Sequence, residues 1–255
     1  MNTSPNNRLN CAETAEHAAT MKRIGLLGGM SWESSALYYR LLNEGVADRL
    51  GGLHSADCVL VSVDFATIAG LQASDRWEEA GHVLAQKAGA LQAAGAELLL
   101  LCTNTMHKVA EQIQNTVDIP LLNIIDVTAA AAQRAGACRV GLLATSFTME
   151  QRFYRDRMAS HGVDVIVPDA SARELVHRVI YEELCRGIFR DASRAMVSGV
   201  IADLVDRGAE AVILGCTEIE LLIGQSDSPV PVLPSTQLHA AAALDAALGS
   251  SREAG

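Results

Sequence analysis

The chain predicts an α/β fold of two similar halves, each built on a parallel sheet, with strand ends facing one another across a cleft. Three observations carry this. Short apolar runs alternate with longer Ala-rich segments along the chain, as in βαβ units with right-handed crossovers. The stretch Glu97–Lys108 reads E-L-L-L-L-C-T-N-T-M-H-K, a leucine run of the kind found in strands covered on both faces. It ends abruptly in Cys102, Thr103, Asn104 and Thr105. The same design then recurs, from Gly95-Ala96-Glu97 to Gly208-Ala209-Glu210, continuing A-V-I-L-G-C-T-E through Cys216, Thr217 and Glu218. A second echo sets Ile24-Gly25-Leu26-Leu27 against Val140-Gly141-Leu142-Leu143, with Tyr38 opposite Tyr154.

The elements follow in order. Residues 1–20 are polar and Asn/Ala-rich without an apolar core, so they predict a loose tail and not a secretory leader. Lys22–Gly29 is a strand, closed by Gly28-Gly29-Met30-Ser31 and followed by a helix over Glu33–Leu50. The glycines allow a tight turn or close approach to a ligand, yet they match neither a dinucleotide fingerprint nor a P-loop. Cys58–Asp64 is a strand, a polar loop runs through Gln72, Ser74 and Arg76, and Trp77–Ala94 is a helix. After the leucine strand a helix starts near Met106, then Leu121–Ile124 is a strand, with Asp126 or Thr128 opening the next helix. Arg139–Thr145 and Val163–Pro168 are strands; Ala172–Arg186 and Ala192–Arg207 are helices. Ala211–Cys216 and Val230–Leu233 are strands, and Ser235–Leu248 is a final Ala-rich helix.

Composition narrows the function classes. The 255 residues are 49% hydrophobic and 4% aromatic, enough for a full aliphatic core without staples. A net charge of −10 with scattered Lys and Arg argues against a nucleic-acid partner. The six cysteines lack CxxC spacing and read as reduced thiols of a cytoplasmic protein. The seven histidines show no metal-ligand spacing, so no metal is expected. No apolar stretch is long enough to span a bilayer.

The polar strand ends carry the candidate chemistry, because ligands in open α/β sheets bind at the carboxyl ends of strands. A cysteine there, followed by a helix, meets N–H groups and positive potential that favour thiolate. Such a thiolate can act as base or nucleophile. An isolated cysteine is more often a small buried hydrophobe, which is the reading for Cys11, Cys58, Cys138 and Cys185. Cys216 stands apart through Gly215, Thr217, Glu218 and its echo. Side chains alternate along a strand, so either Cys102 or Thr103 faces the cleft, and the ungapped repeat favours Thr103 as the partner of Cys216. Thr103 and Thr105 would otherwise be helix caps, Glu218 a helix-terminal charge, and His107 a surface or core histidine.

At these residues the chain resembles the aspartate/glutamate racemase superfamily of cofactor-independent racemases, most closely its L-aspartate/glutamate-specific or broad-specificity branch. The carriers are I-G-L-L-G-G-M-S-W-E-S, L-C-T-N-T-M-H-K-V-A, L-L-A-T and G-C-T-E-I, spanning roughly Met21 to Leu248. The resemblance implies two pseudo-symmetric flavodoxin-like domains with the active site between them, usually in a homodimer, with the last helix packed back on the first domain. The expected division is 21–120 plus 235–249 against 121–234. Where most members carry C-N-T, this chain has Thr103-Asn104-Thr105, so the usual thiol pair becomes Thr103 and Cys216. Aspartate-specific members place an Arg and a Lys at positions that fall here near Ile68–Ala69 and on Glu174–Leu175; Gln72 is the nearest polar residue to the first.

The expected reaction is two-sided proton transfer at the Cα of an amino acid, without a cofactor. Cys216 works on the L-face and Thr103 on the other. Asn104, Thr105, Thr217 and Glu218 would hold the substrate, while Met30, Gln72, Thr145 and Thr148 shape the pocket. Two other readings stay open: a single-thiol lyase or isomerase such as a malonate-type decarboxylase or maleate isomerase, and a non-catalytic binder of amino acids or dicarboxylates.

Overall fold

The computed structural model describes residues 21–249; the tail expected over residues 1–20, with Cys11, lies outside the described residues. The first half opens with β1 (Ile24–Gly28), α1 (Trp32–Leu50), β2 (Cys58–Ser62), α2 (Phe65–Ala73), α3 (Trp77–Ala93) and β3 (Leu98–Leu101). A 3-10 turn (Thr105–Val109), α4 (Ala110–Gln114) and β4 (Leu121–Leu122) follow. Then come α5 (Ile124–Arg134), β5 (Arg139–Leu143), α6 (Ser146–Glu150), α7 (Arg152–Ser160), β6 (Asp164–Ile166) and α8 (Ala170–Arg178). The chain ends through α9 (Asp191–Asp206), β7 (Ala211–Leu214), α10 (Ile219–Leu222), β8 (Val232–Pro234) and α11 (Ser235–Leu248).

Two four-stranded sheets result, ordered β2-β1-β3-β4 and β6-β5-β7-β8. Every strand pairing among the described residues is parallel. The repeat in the sequence is thus a repeat in topology, with the flavodoxin-like order reversing between β1 and β3 and between β5 and β7. Those reversals put a crevice at the carboxyl ends of four strands.

The leucine strand shows how the core fixes register. Leu98, Leu100 and Cys102 pack on one face with Ile24, Leu26, Tyr38 of α1 and Ala243 and Leu244 of α11. Leu99 and Leu101 pack on the other with Leu84, Ala88 and Leu91 of α3. Each fully buried leucine contributes roughly 1.5–3 kcal/mol of transfer free energy, so a one-residue slip is strongly disfavoured. Gly29 is required at its turn: its φ is +93° and a Cβ there would sit 2.2 Å from the Val63 carbonyl.

Helix α11 packs against both α1 and α5 and so ties the end of the chain to its start. His239 fixes this contact, with Nδ1 2.7 Å from the Tyr38 hydroxyl and Nε2 donating to Leu122 O at 2.8 Å. Burial holds its pKa down at about 4.

Several expectations need correction. The boundary set between residues 120 and 121 falls one element early, because β4 pairs with β3 through Leu99–Leu121 and Leu100–Leu122. The stretch read as a polar loop contains α2, whose start is capped by Asp64 accepting from Ala66 N. Ala172–Arg186 is not one α-helix: α8 stops at Arg178, a π-helical turn covers Val179–Glu183, and a 3-10 turn ends at Gly187. Neither Asp126 nor Thr128 caps α5. Asn123 does, accepting from Ile125 N at 2.9 Å, while Asp126 pairs with Arg157 at 2.6 Å.

Candidate active site

The cleft of about 490 Å³, open solvent included, lies where the carboxyl ends of β3 and β7 meet. Met30, Ser31, Phe65, Gln72, Thr103, Asn104 and Thr105 line it from one half. Thr145, Ile180, Tyr181, Cys185, Gly215, Cys216, Thr217 and Glu218 line it from the other. Thr103, just past β3, is partly exposed to it, whereas Cys102 is fully buried with its Sγ 3.8 Å from Leu100 O. The alternation of faces thus sends Cys102 into the α1–α11 core and Thr103 to the cleft.

Cys216 Sγ donates to Glu218 Oε2 at 2.9 Å, and Ser31 Oγ donates to Glu218 Oε1 at 2.7 Å. One carboxylate therefore receives a thiol from its own half and a hydroxyl from the other. Burial first, then the Glu218 charge, push the Cys216 thiol well above its ordinary range. This corrects the expectation of a resting thiolate. The segment after Cys216 forms only the four-residue α10, and desolvation outweighs any helix-end field. Cys216 rests as a thiol.

Polar contacts join the halves across the cleft. Ser34 Oγ donates to Cys102 O at 3.0 Å, so at 2.8 Å it accepts from Thr217 Oγ1. Thr236 donates in turn to Thr217. The Thr217 hydroxyl is thus already committed and cannot also donate to a substrate carboxylate. Thr105 Oγ1 lies 3.2 Å from Thr145 Oγ1 and 3.0 Å from Thr148 Oγ1. Thr148 is fully buried behind this cluster and does not line the cleft, contrary to expectation. Gln72 lines the cleft with its Nε2 on Met106 Sδ at 3.0 Å.

His107, expected as a surface or core histidine, is a buried support. Its Nδ1–H donates to Thr103 O at 2.8 Å, and its Nε2 accepts from Ile124 N at 3.2 Å. Burial, reinforced by His239, holds its pKa down at about 3, so it stays neutral and steadies the Thr103 backbone.

Sequence reasoning missed Ser31, Phe65, Ile180, Tyr181 and Cys185. Cys185, read as a packing residue, stands in the cleft wall; burial first, then Glu218, push its thiol up to about 12. Ile180 sits in the π-helical turn and Cys185 in the 3-10 turn that follows it, and both line the same wall. Among the described residues lining the cleft none is Lys, Arg or His. No group of three His, Cys, Asp or Glu among the described residues is arranged to hold a metal ion.

The family description Asp/Glu/Hydantoin racemase matches residues 27–243, which takes in every cleft residue and all of both sheets but the first three residues of β1. The chain belongs to that racemase family. Among solved structures, a Yersinia pestis protein described as a candidate Asp/Glu racemase is 50% identical, covers 89% of this chain and 100% of its own, and superposes with a TM-score of 0.84. An aspartate racemase homologue from Pyrococcus horikoshii is 32% identical over 89% of this chain and 99% of its own, with a TM-score of 0.79. A glutamate racemase from Roseiflexus is 28% identical over 150 residues, 58% of this chain and 54% of that enzyme. The match thus spans about half the length of that curated relative. This racemase-family chain keeps the two-sheet plan around a cleft with one cysteine and one threonine at the equivalent strand ends.

Proposed function

We propose that the protein is a cofactor-independent amino-acid racemase of the aspartate/glutamate type that works with a Thr103/Cys216 pair and favours the L-enantiomer. One observation carries the reading: Thr103 and Cys216, equivalent in the repeat, line a single cleft, and Cys216 donates to the Glu218 carboxylate at 2.9 Å. On substrate entry the Cys216 proton passes to Glu218 Oε2 along that bond. The thiolate then takes the Cα hydrogen of the L-amino acid, and the Thr103 hydroxyl delivers a proton to the opposite face. Solvent afterwards reprotonates Thr103 and removes the proton from Glu218, which restores the starting state. The Cα carbanion is stabilised by hydrogen bonds in a closed, dry cleft.

The hydroxyls, the amide and the Glu218 carboxylate suit an α-ammonium group better than a second carboxylate. Neutral amino acids are therefore expected to react at least as well as aspartate and glutamate. The test is proton NMR in D2O with L- and D-aspartate, glutamate, homoserine and methionine. Loss of a Cα signal that disappears in Cys216→Ala supports the reading. Inertness toward all eight, with turnover of a dicarboxylate, would replace it with the single-thiol lyase or isomerase.

The proposal extends to assembly as a homodimer. Trp32, Glu33, Ala36, Leu37 and Arg40 of α1, with Leu221 of α10, line an apolar surface groove in which Trp32 is 69% exposed. Glu33 and Arg40 lie seven residues apart on this stripe, about 10.5 Å along the helix. Two copies of α1 crossing antiparallel near Ala36 would set Glu33 of each against Arg40 of the other. That is the self-complementarity a twofold contact needs.

A further inference from the structure

We propose that Ser235 is a positioning residue that sets the polarity of Asn104, so that the cleft meets its substrate with an amide oxygen and selects for an α-ammonium group. The inference rests on reading the cleft as an amino-acid site and adds a residue and a selection rule to it.

Ser235, the first residue of α11, is fully buried, and its Oγ is 2.8 Å from Leu214 O. A carbonyl only accepts, so the single Ser235 hydroxyl hydrogen is spent there. Ser235 Oγ can then only accept from its other neighbour, the Asn104 side chain at 3.0 Å. That neighbour must be Nδ2, which removes the usual ambiguity in an amide's orientation.

The consequence lies at the other end of the amide. Asn104 lines the cleft and is 5% exposed, and its Oδ1 is buried without a hydrogen-bond partner. A buried acceptor left unpaired is costly, and a ligand that supplies a donor recovers that cost. Asn104 therefore offers an acceptor to the ligand, as does the carboxylate of Glu218. Two acceptors fit an ammonium group and repel a carboxylate. Were Ser235 unable to impose the orientation, the amide could turn and offer its NH2 instead.

The experiment compares the wild type, Ser235→Ala and Ser235→Thr. Calorimetry gives affinities for two matched pairs: L-homoserine against 4-hydroxybutanoate, and L-aspartate against succinate, which differ by the amino group. Wild type and Ser235→Thr are expected to prefer at least one amino acid over its partner by tenfold or more. Ser235→Ala is expected to lose most of that preference while its affinity for the deamino compounds changes less than threefold. The Asn104 side-chain amide, assigned by its loss in Asn104→Asp, gives a readout independent of ligand. Its NH2 protons should exchange slowly with solvent in wild type and Ser235→Thr and markedly faster in Ser235→Ala. Unchanged preference or unchanged amide exchange in a folded Ser235→Ala overturns the proposal, and so does a wild type that binds neither amino acid better than its partner. Absence of Cα exchange alongside a clear ammonium preference would instead remove the racemase reading and leave this one standing.

Discussion

Ser31 Oγ donates to Glu218 Oε1 at 2.7 Å across 187 residues of chain, and this bond ties the N-cap of α1 to the carboxylate that receives the Cys216 thiol. The two oxygens of Glu218 thus serve two halves of the molecule. Whatever changes the charge of Glu218 changes both the thiol and the closure of the cleft.

The first prediction follows from that charge. Glu218 contributes to holding the Cys216 thiol high, second only to burial. Glu218→Gln removes the charge, so the thiol pKa falls and alkylation of Cys216 by iodoacetamide shifts to lower pH. Cα exchange should fall by about 10²- to 10⁴-fold nonetheless, the usual worth of a positioned acid or base, because the proton acceptor is lost. An alkylation profile that does not move would show that Glu218 does not govern the thiol.

The second concerns Thr103. A threonine hydroxyl is a feeble acid and base, so return of a proton to the far face should limit turnover. Racemisation has an equilibrium constant of one, so kcat/KM must be equal for the two enantiomers, and only kcat and KM separately can differ. The L-substrate should therefore exchange its Cα hydrogen in D2O with retention faster than it racemises. Thr103→Cys should raise D-substrate turnover, because the partly exposed Thr103 site already faces the cleft and His107 holds its backbone. Equal rates of exchange and racemisation in the wild type would count against the asymmetric pair.

Much of the fold was legible because parallel strands are buried on both faces and announce themselves as apolar runs. The ungapped repeat favoured Thr103 over Cys102 for the cleft, and the packing of Leu98, Leu100 and Cys102 on one face shows the same alternation. The state of Cys216 was not legible. It depends on desolvation and on a carboxylate whose placement is itself fixed by Ser31 in the other half. Cys185 was hidden for another reason, since a 3.6-residue period cannot foresee the π-helical and 3-10 turns that replace the α-helix from Val179 to Arg186. Ser235 read only as the start of a helix, because its meaning comes from Leu214 and Asn104 together.

The third prediction uses Glu220 as a stability sensor. Its Oε1 accepts from Thr236 N at 2.7 Å, but its Oε2 is buried without a partner. Burial raises its pKa from 4.5 to about 7, against the opposing hydrogen bonds of Thr236 and Gln237. Below pH 4.5 both folded and unfolded chains carry the proton. Between 4.5 and 7 the unfolded chain ionises first, so the folded state loses stability as pH rises, and the loss is complete above 7. Glu220→Gln does not titrate, so its advantage over wild type should grow by roughly 1–3 kcal/mol between pH 5 and pH 8. Urea unfolding midpoints at the two pH values measure this; a constant gap would mean that Glu220 titrates normally.

The fourth prediction tests the assembly through charge. If two α1 helices cross antiparallel, Arg40→Glu sets Glu33 of one copy against a new carboxylate of the other at both ends of the contact. Like charges across an interface cost several kcal/mol, so sedimentation should show dissociation at concentrations where the wild type is dimeric. Arg40 is 61% exposed and its contact to Glu44 is 3.8 Å long, so the substitution removes little from the folded monomer. The double change Glu33→Arg with Arg40→Glu restores opposite charges in the reversed sense and should restore the dimer. The rescue separates pairing from general disruption, because Trp32 and Leu221 are unchanged in both variants. A dimer that survives Arg40→Glu places the contact on another face, and a monomeric wild type removes it altogether.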